Sequence, residues 1–439
     1  MSNSLHKEWF YMKKLAVLSL VVLLFGIVGV QAQDLPSITY WDTMNDQERV
    51  VFEEIATTCA TEAGVSLNYE YVPFSDAQNN YRTAAQADAA PDVLRTEIAW
   101  GPEFAALGYL YDLSDASVFA EPVTEDESAT YLAAPFNYNT WGGGVWGLPQ
   151  VTDAPAMVYN KALFEQAGLD PAAPPTTMAE LDAAIRAIAA LSTADAPIYG
   201  MATPWAEYAF QAIMWAYGGD LITPNDDGTY TIGINSPGTI EALGVVKGWL
   251  DEGVVGPAYD PANQYGNSMT AFKEGRAGIQ IMGPWATSDM LSGVAFTDPA
   301  NLGVAAFPAG PDGGQGSPVG GHEYTIYAGS EYPNESLAFI RCLNSVENQV
   351  RLATELSLVP TVAAAYEDST LAENAILQGF LAQMNVARNR PVLVAGGQIY
   401  TELGPQYSAF ILGETPAQEA MDNVAAAWEL LLQNEPAAP

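Results

Sequence analysis

From residue 37 onward, short apolar runs alternate with longer stretches of helical periodicity. Ser37-Ile38-Thr39-Tyr40-Trp41 is β-rich, with Pro36 before it and polar residues after, and reads as a first strand. Val51, Ile55 and Cys59 recur at helical spacing, so a helix runs from about Asp46 and ends at Gly64. Val65, Leu67, Tyr69 and Tyr71 then alternate with polar residues, which predicts a second strand over Val65 to Val72. A strand, a helix and a strand in this order predict an α/β architecture with a parallel sheet.

The same reading continues along the chain. Asn79 to Ala90 is helical, and Pro91-Asp92-Val93-Leu94 starts another strand. A short helix from about Pro102 closes at Gly108. Thr177-Met178-Ala179-Glu180 is a capping box, opening an Ala-rich helix to Leu191. Asn235-Ser236-Pro237 starts a helix with Trp249 and Leu250 near its end. Dense Pro and Gly over Phe307 to Gly321 predict a surface loop feeding a strand. Glu335 to Leu356 reads as one helix, and Thr415 to Leu432 as a final amphipathic helix with Pro416 in its first turn. No period of a solenoid or propeller is present.

At 439 residues the chain is long for one core and suits two lobes, and its 49% apolar content can fill both. Its formal charge of −37, from 15 basic and 52 acidic residues, argues against nucleic acid and anionic membrane as partners. Solubility in a salty or acidic habitat is the ordinary meaning of such a surface; attraction of cations is the sharper one. Lys13 and Lys14, the apolar run Leu15 to Val30 and the small-residue site at Val30-Gln31-Ala32 predict a signal peptide over residues 1–32. The expected location is therefore extracytoplasmic, periplasmic or at the cell surface, with an uncleaved segment able to act as an anchor. Met12, directly before the lysines, is an alternative start to Met1. Two cysteines, Cys59 and Cys342, can bridge in an oxidising compartment or stand as separate buried thiols.

Catalytic signatures are absent. The two histidines are His6, in the signal segment, and His322, so the exported chain has no histidine cluster for a metal and no second histidine for a relay. There is no G-x-S-x-G, no Walker loop, and no dinucleotide fingerprint after a strand. Trp141-Gly142-Gly143-Gly144 lacks the Lys and Ser/Thr of a phosphate loop. No cofactor and no metal are expected. Aromatics are abundant instead, at 10 Trp, 22 Tyr and 15 Phe, and many adjoin Gly, Pro or an acid: Trp41-Asp42, Glu97 with Trp100, Trp205 to Tyr208, Pro284-Trp285 and Tyr400. Rings can cover the C–H face of a sugar while carboxylates accept from its hydroxyls. Taken singly, each of these is better explained as an ordinary core or interface aromatic.

Four segments give the set a direction. One runs from Ala84-Ala85-Gln86-Ala87 through Pro91-Asp92-Val93 and Glu97 to Trp100, closing at Phe104 to Leu110. A second is Gly147-Leu148-Pro149, then Met157-Val158-Tyr159-Asn160-Lys161, Phe164 to Leu169 and Pro174-Pro175-Thr176. A third is Gly275-Arg276-Ala277-Gly278 with Met282-Gly283-Pro284-Trp285-Ala286. The fourth is Gly320 to Tyr324, with Arg390-Pro391 and Gly397 to Tyr400. From Trp41 to Leu432 the chain thus resembles the extracellular solute-binding proteins of the maltose-binding type. Met178 stands where that family usually has Trp, and Glu97 where many members have Asp.

The resemblance implies a periplasmic-binding-protein-like fold of two α/β lobes with several hinge crossings and a ligand cleft between them. It implies one lobe at about 34–150 plus 323–372 and another at about 154–318 plus 375–439. Carried over position by position, it implies ligand-binding roles for Glu97, Trp100, Asp153, Glu207, Tyr208, Trp285 and Tyr400, with Trp41 and Asp42 as further candidates. It also sets Cys59 and Cys342 in the first lobe, where a disulfide between them is expected. The implied function is capture of a maltose- or maltodextrin-type oligosaccharide by a monomeric receptor, with delivery to the permease subunits of an ABC importer. A receptor for trehalose, sucrose or a polyamine is the alternative within binding proteins, and an exported carbohydrate-active enzyme is the alternative outside them.

Overall fold

The computed structural model describes residues 35–204 and 206–436; the expected signal segment and Trp205 lie outside the described residues. Ten strands build two sheets: β1 (Ser37–Asp42), β2 (Ser66–Tyr71), β3 (Val93–Glu97), β4 (Leu148–Asp153), β5 (Ala156–Asn160), β6 (Tyr199–Met201), β7 (Ala277–Met282), β8 (Leu302–Ala305), β9 (Gly320–Ile326) and β10 (Val359–Pro360). The first sheet has the order β10-β4-β9-β3-β1-β2 and the second β8-β5-β7-β6. β1 runs parallel to β2 and β3, while β9 is antiparallel to β3 and β4. In the second sheet β7 is parallel to β6 and antiparallel to β5. The sheets are mixed because β5 enters the second sheet directly from the first, and β9 enters the first from the second.

The chain passes from one sheet to the other between Asp153 and Ala156, and returns between Ala305 and Gly320. After β10 it crosses again, and Leu377 and Phe380 of the helix Ala375–Met384 pack with Ala156, Val158 and Leu302. Each sheet has its own core. Against the first, Tyr40, Tyr324, Phe52 and Phe339 form a ring cluster with centroids 5.9 to 6.3 Å apart. It joins the helices Asp46–Glu62 and Pro333–Leu343 to the strands. Cys59 and Cys342, one on each of these helices, form a disulfide with their Cα atoms 5.4 Å apart. The second core gathers Met201, Ile213, Trp215, Trp249, Ile279 and Trp428.

Local signals set most of the boundaries. Asn45 caps Asp46–Glu62 in a capping box with Glu48, and Thr177 does the same for Met178–Ala189 with Glu180. Three expectations are corrected, and one helix was not foreseen. The helix expected over Asn79 to Ala90 spans Phe74–Gln86, and Asp88 turns the chain in the left-handed region at φ 52°. The single helix expected over Glu335 to Leu356 is two, Pro333–Leu343 and Val346–Leu356, because Ser345 breaks the run and caps the second. The surface loop Phe307 to Gly321 is buried from Ser317 onward, where Val319 N–H donates to the Arg388 carbonyl at 2.9 Å and Arg388 N–H to the Ser317 carbonyl at 2.8 Å. A helix not expected, Ile399–Ile411, carries Pro405 inside it. No helix among the described residues is long and apolar enough to cross a membrane.

Candidate functional site

The polar half of the site lies at one edge of the first sheet. β3 ends at Glu97, β4 ends at Asp153, and β9 begins at Gly320. The register sets Glu97 and Val151 opposite His322, and Asp153 opposite Gly320. Side chains alternate along a strand, so those of residues 97, 322 and 153 turn to the same face. Glu97 accepts from Ala99 N–H at 3.0 Å and forms an ion pair with Arg390. Arg390 is itself buried; its Nε donates to the Val319 carbonyl at 2.9 Å, and its own carbonyl accepts from the Tyr138 hydroxyl at 2.9 Å. Asp153 is buried with Oδ1 unpartnered. Burial first, and the Glu97 charge second, push its carboxyl up to about 7.

The aromatic half comes from elements packed on the second sheet. Tyr208 sits in the first turn of the helix Glu207–Ala216, Trp285 in the 3-10 turn Pro284–Ala286, and Tyr400 in the first turn of Ile399–Ile411. Tyr208 lies 6.4 Å from Trp285 and 6.3 Å from Tyr400, centroid to centroid. The Arg390 guanidinium stands 5.6 Å from the centre of the Tyr208 ring, within cation–π range. Gln211 Nε2 donates to the Tyr400 hydroxyl at 3.2 Å, which fixes that ring. Asn45 Nδ2, from the start of a first-sheet helix, donates to the Trp285 carbonyl at 2.9 Å. Glu207 is partly buried, and burial raises its carboxyl above the ordinary range. It lines a cavity of about 380 Å³ with Tyr259, Gln264 and Tyr265. Another, of about 420 Å³, lies between Gln78, Arg82 and Glu103 on one side and Gly397, Gln398 and Thr401 on the other.

The structure therefore gathers Glu97, Asp153, Tyr208 and Tyr400 around Arg390, with Trp285 beside Tyr208. Trp100 is buried beneath Phe74, with ring centroids 5.2 Å apart and planes 24° apart. Trp41 and Asp42 have other partners. Trp41 Nε1 donates to Glu70 on the neighbouring strand at 2.8 Å, and Asp42 is fully buried, accepting from the hydroxyls of Tyr40 and Tyr69. Sequence reasoning missed Arg390, Phe74 and His322 as members of the cluster. Arg390 had a signal: it is one of 15 basic residues in the chain and precedes a proline, in a segment already singled out. Among the described residues no group of His, Cys, Asp or Glu has the makings of a metal site. Stacking rings beside buried carboxylates and a guanidinium suit recognition of a polar, ring-shaped ligand.

Relatives share this architecture. Crystal structures of the GacH receptor of Streptomyces glaucescens, unliganded and in complex with acarbose and an acarbose homolog, match at a TM-score of 0.83 and 31% identity, over 91% of this chain and 99% of that one. The maltotriose-binding protein of Pyrococcus abyssi is 25% identical over 350 residues, 78% of this chain and 70% of its own length. A maltooligosaccharide ABC transporter solute-binding lipoprotein of Streptococcus pneumoniae is 24% identical over 376 residues, 82% of this chain and 83% of its own. The model of one family, described as bacterial extracellular solute-binding protein, matches residues 45–350. With that match spanning more than two thirds of the chain, the chain belongs to the bacterial extracellular solute-binding proteins.

Proposed function

We propose that this protein captures a maltose- or maltodextrin-type oligosaccharide outside the cytoplasm and delivers it to the permease of an ABC importer, without turning it over. The observation that carries this reading is the split of the site: carboxylates on the first sheet, Glu97 and Asp153, face rings from the second, Tyr208, Trp285 and Tyr400. Neither set alone surrounds a ligand, so a bound sugar favours the state in which the two lobes meet. The lobes are taken as 34–150 plus 323–372 and 154–318 plus 375–439, hinged where the chain passes between the sheets. The saccharides bound by relatives in Pyrococcus abyssi and Streptococcus pneumoniae support the ligand class. The absence of a second histidine beside His322 in residues 33–439 supports a receptor over an enzyme.

Thermal-shift screening against maltose, maltotriose, trehalose, sucrose and spermidine tests the ligand class, since a ligand that binds only the native state raises its apparent stability. Maltotriose is expected to give the larger shifts, and small-angle scattering is expected to show a smaller radius of gyration with it bound. A shift with spermidine alone would replace the sugar by a polyamine. Shortened maltodextrins after long incubation would make the protein an enzyme.

A further inference from the structure

β9 opens with two glycines, and what lies against them demands both. A Cβ at Gly320 would collide with the Asp153 carboxylate and the Tyr208 hydroxyl. Gly321 has φ 142°, and a Cβ there would strike the Val151 carbonyl. The bare backbone lets β9 lie close against β4, and His322 is the first residue of the strand to carry a side chain. Its imidazole meets Phe74 edge-on, with centroids 5.7 Å apart and planes at 71°. Phe74, half-exposed, connects this ring to solvent and stacks on Trp100.

Both ring nitrogens of His322 are buried and neither has a partner. Burial, and then the charges of Arg95 and Arg390, hold its pKa well below the ordinary histidine range, so the ring is neutral, with one donor and one acceptor. A buried donor and acceptor left unpaired weaken a fold. Asn45 and Arg95 nearby have their polar atoms paired, whereas Asp153 Oδ1 and Gln211 Oε1 at the site are, like the His322 nitrogens, unpartnered. Glu97 and Asp153 share the face on which this ring stands.

We propose that His322 is a ligand-contacting residue, one ring nitrogen donating to and the other accepting from a pair of hydroxyls on a saccharide held beside the Phe74–Trp100 rings. This rests on the sugar reading and sharpens it. A hydroxylated ligand both donates and accepts, whereas a protonated polyamine only donates and leaves one nitrogen unpaired.

The test uses the full chain with maltotriose as probe. The sequence has two histidines, His6 and His322, so nitrogen-15 labelling of histidine gives two imidazoles to follow by NMR, and His322→Leu assigns them. Maltotriose is expected to move the His322 nitrogen signals. His322→Leu is expected to bind at least tenfold more weakly by calorimetry, with an unliganded melting temperature equal to or above that of the wild type. Wild-type binding with static His322 signals would overturn the assignment alone, even were the variant to fold poorly. Variant affinity within twofold of the wild type would do the same. Failure of the wild type to bind any saccharide would overturn the sugar reading and this assignment with it.

Discussion

The two sides of the site solve different problems. The first sheet buries charge at its edge: Glu97 with Arg390, Asp153 with one oxygen unpartnered, and Arg95 held by Gln150 at 2.6 Å and Thr43 at 2.9 Å. The elements on the second sheet contribute rings, Tyr208, Trp285 and Tyr400, set by helix and 3-10 starts. A buried charge depends on its partner, so it couples the site to fold stability. A ring packs through area and has little partner dependence, so it couples the site to affinity. Charge and ring substitutions should therefore separate cleanly into stability and binding effects.

Arg390→Met should give the largest effect. It leaves Glu97 without its cation beside Asp153, and removing one member of a buried pair costs about 3 to 5 kcal/mol. Urea unfolding of the unliganded protein measures this, and a loss under about 0.5 kcal/mol would break the contrast between the two sides. Trp285→Ala comes next. It should weaken maltotriose by about 30-fold, the equivalent of about 2 kcal/mol for an aromatic hot spot, with little change in unliganded urea stability. Unchanged affinity by calorimetry would remove Trp285 from the site.

The third effect sharpens the charged side alone. Asp153 holds its proton to about pH 7 in the fold, against an ordinary value of 3.8. An acid whose folded pKa is raised favours the fold while protonated in both states. Between pH 4 and 7 the unfolded chain releases that proton and the folded chain keeps it, so stability from this group falls as pH rises and levels off above 7. Wild type measured against Asp153→Asn should therefore lose stability across this window with a slope of about 1 kcal/mol per pH unit. A flat difference would mean that Asp153 ionises freely. Glu48, pushed up to about 7 mainly by burial, contributes in the same direction to both proteins and cancels.

Much of the fold was legible because its signals are local. The β1 pattern, the capping box at Thr177, and the positive φ of Gly64 and Gly108 each depend on neighbours within a few residues. Where the local pattern conflicts with the final packing, reading failed. Pro405 removes one helical hydrogen bond and hides Ile399–Ile411, whose Leu403, Tyr407 and Phe410 are nevertheless buried in the second core. Ser317 to Gly320 look like a solvent loop by composition and are buried because Arg388 pairs with them from more than 60 residues away.

By itself the sequence determined the α/β alternation, the surplus of acid, the supply of rings and, through its motifs, the resemblance to solute-binding proteins. Tertiary structure alone decided how those parts are spent. It gave Trp41 to Glu70 and Asp42 to two tyrosine hydroxyls, joined Arg390 to Glu97 across 293 positions, and left the nitrogens of His322 without partners. The physical reason is range. Helix caps and strand alternation are fixed by atoms a few bonds apart, whereas a buried charge or an unpaired imidazole acquires its meaning from groups that only chain folding brings within reach.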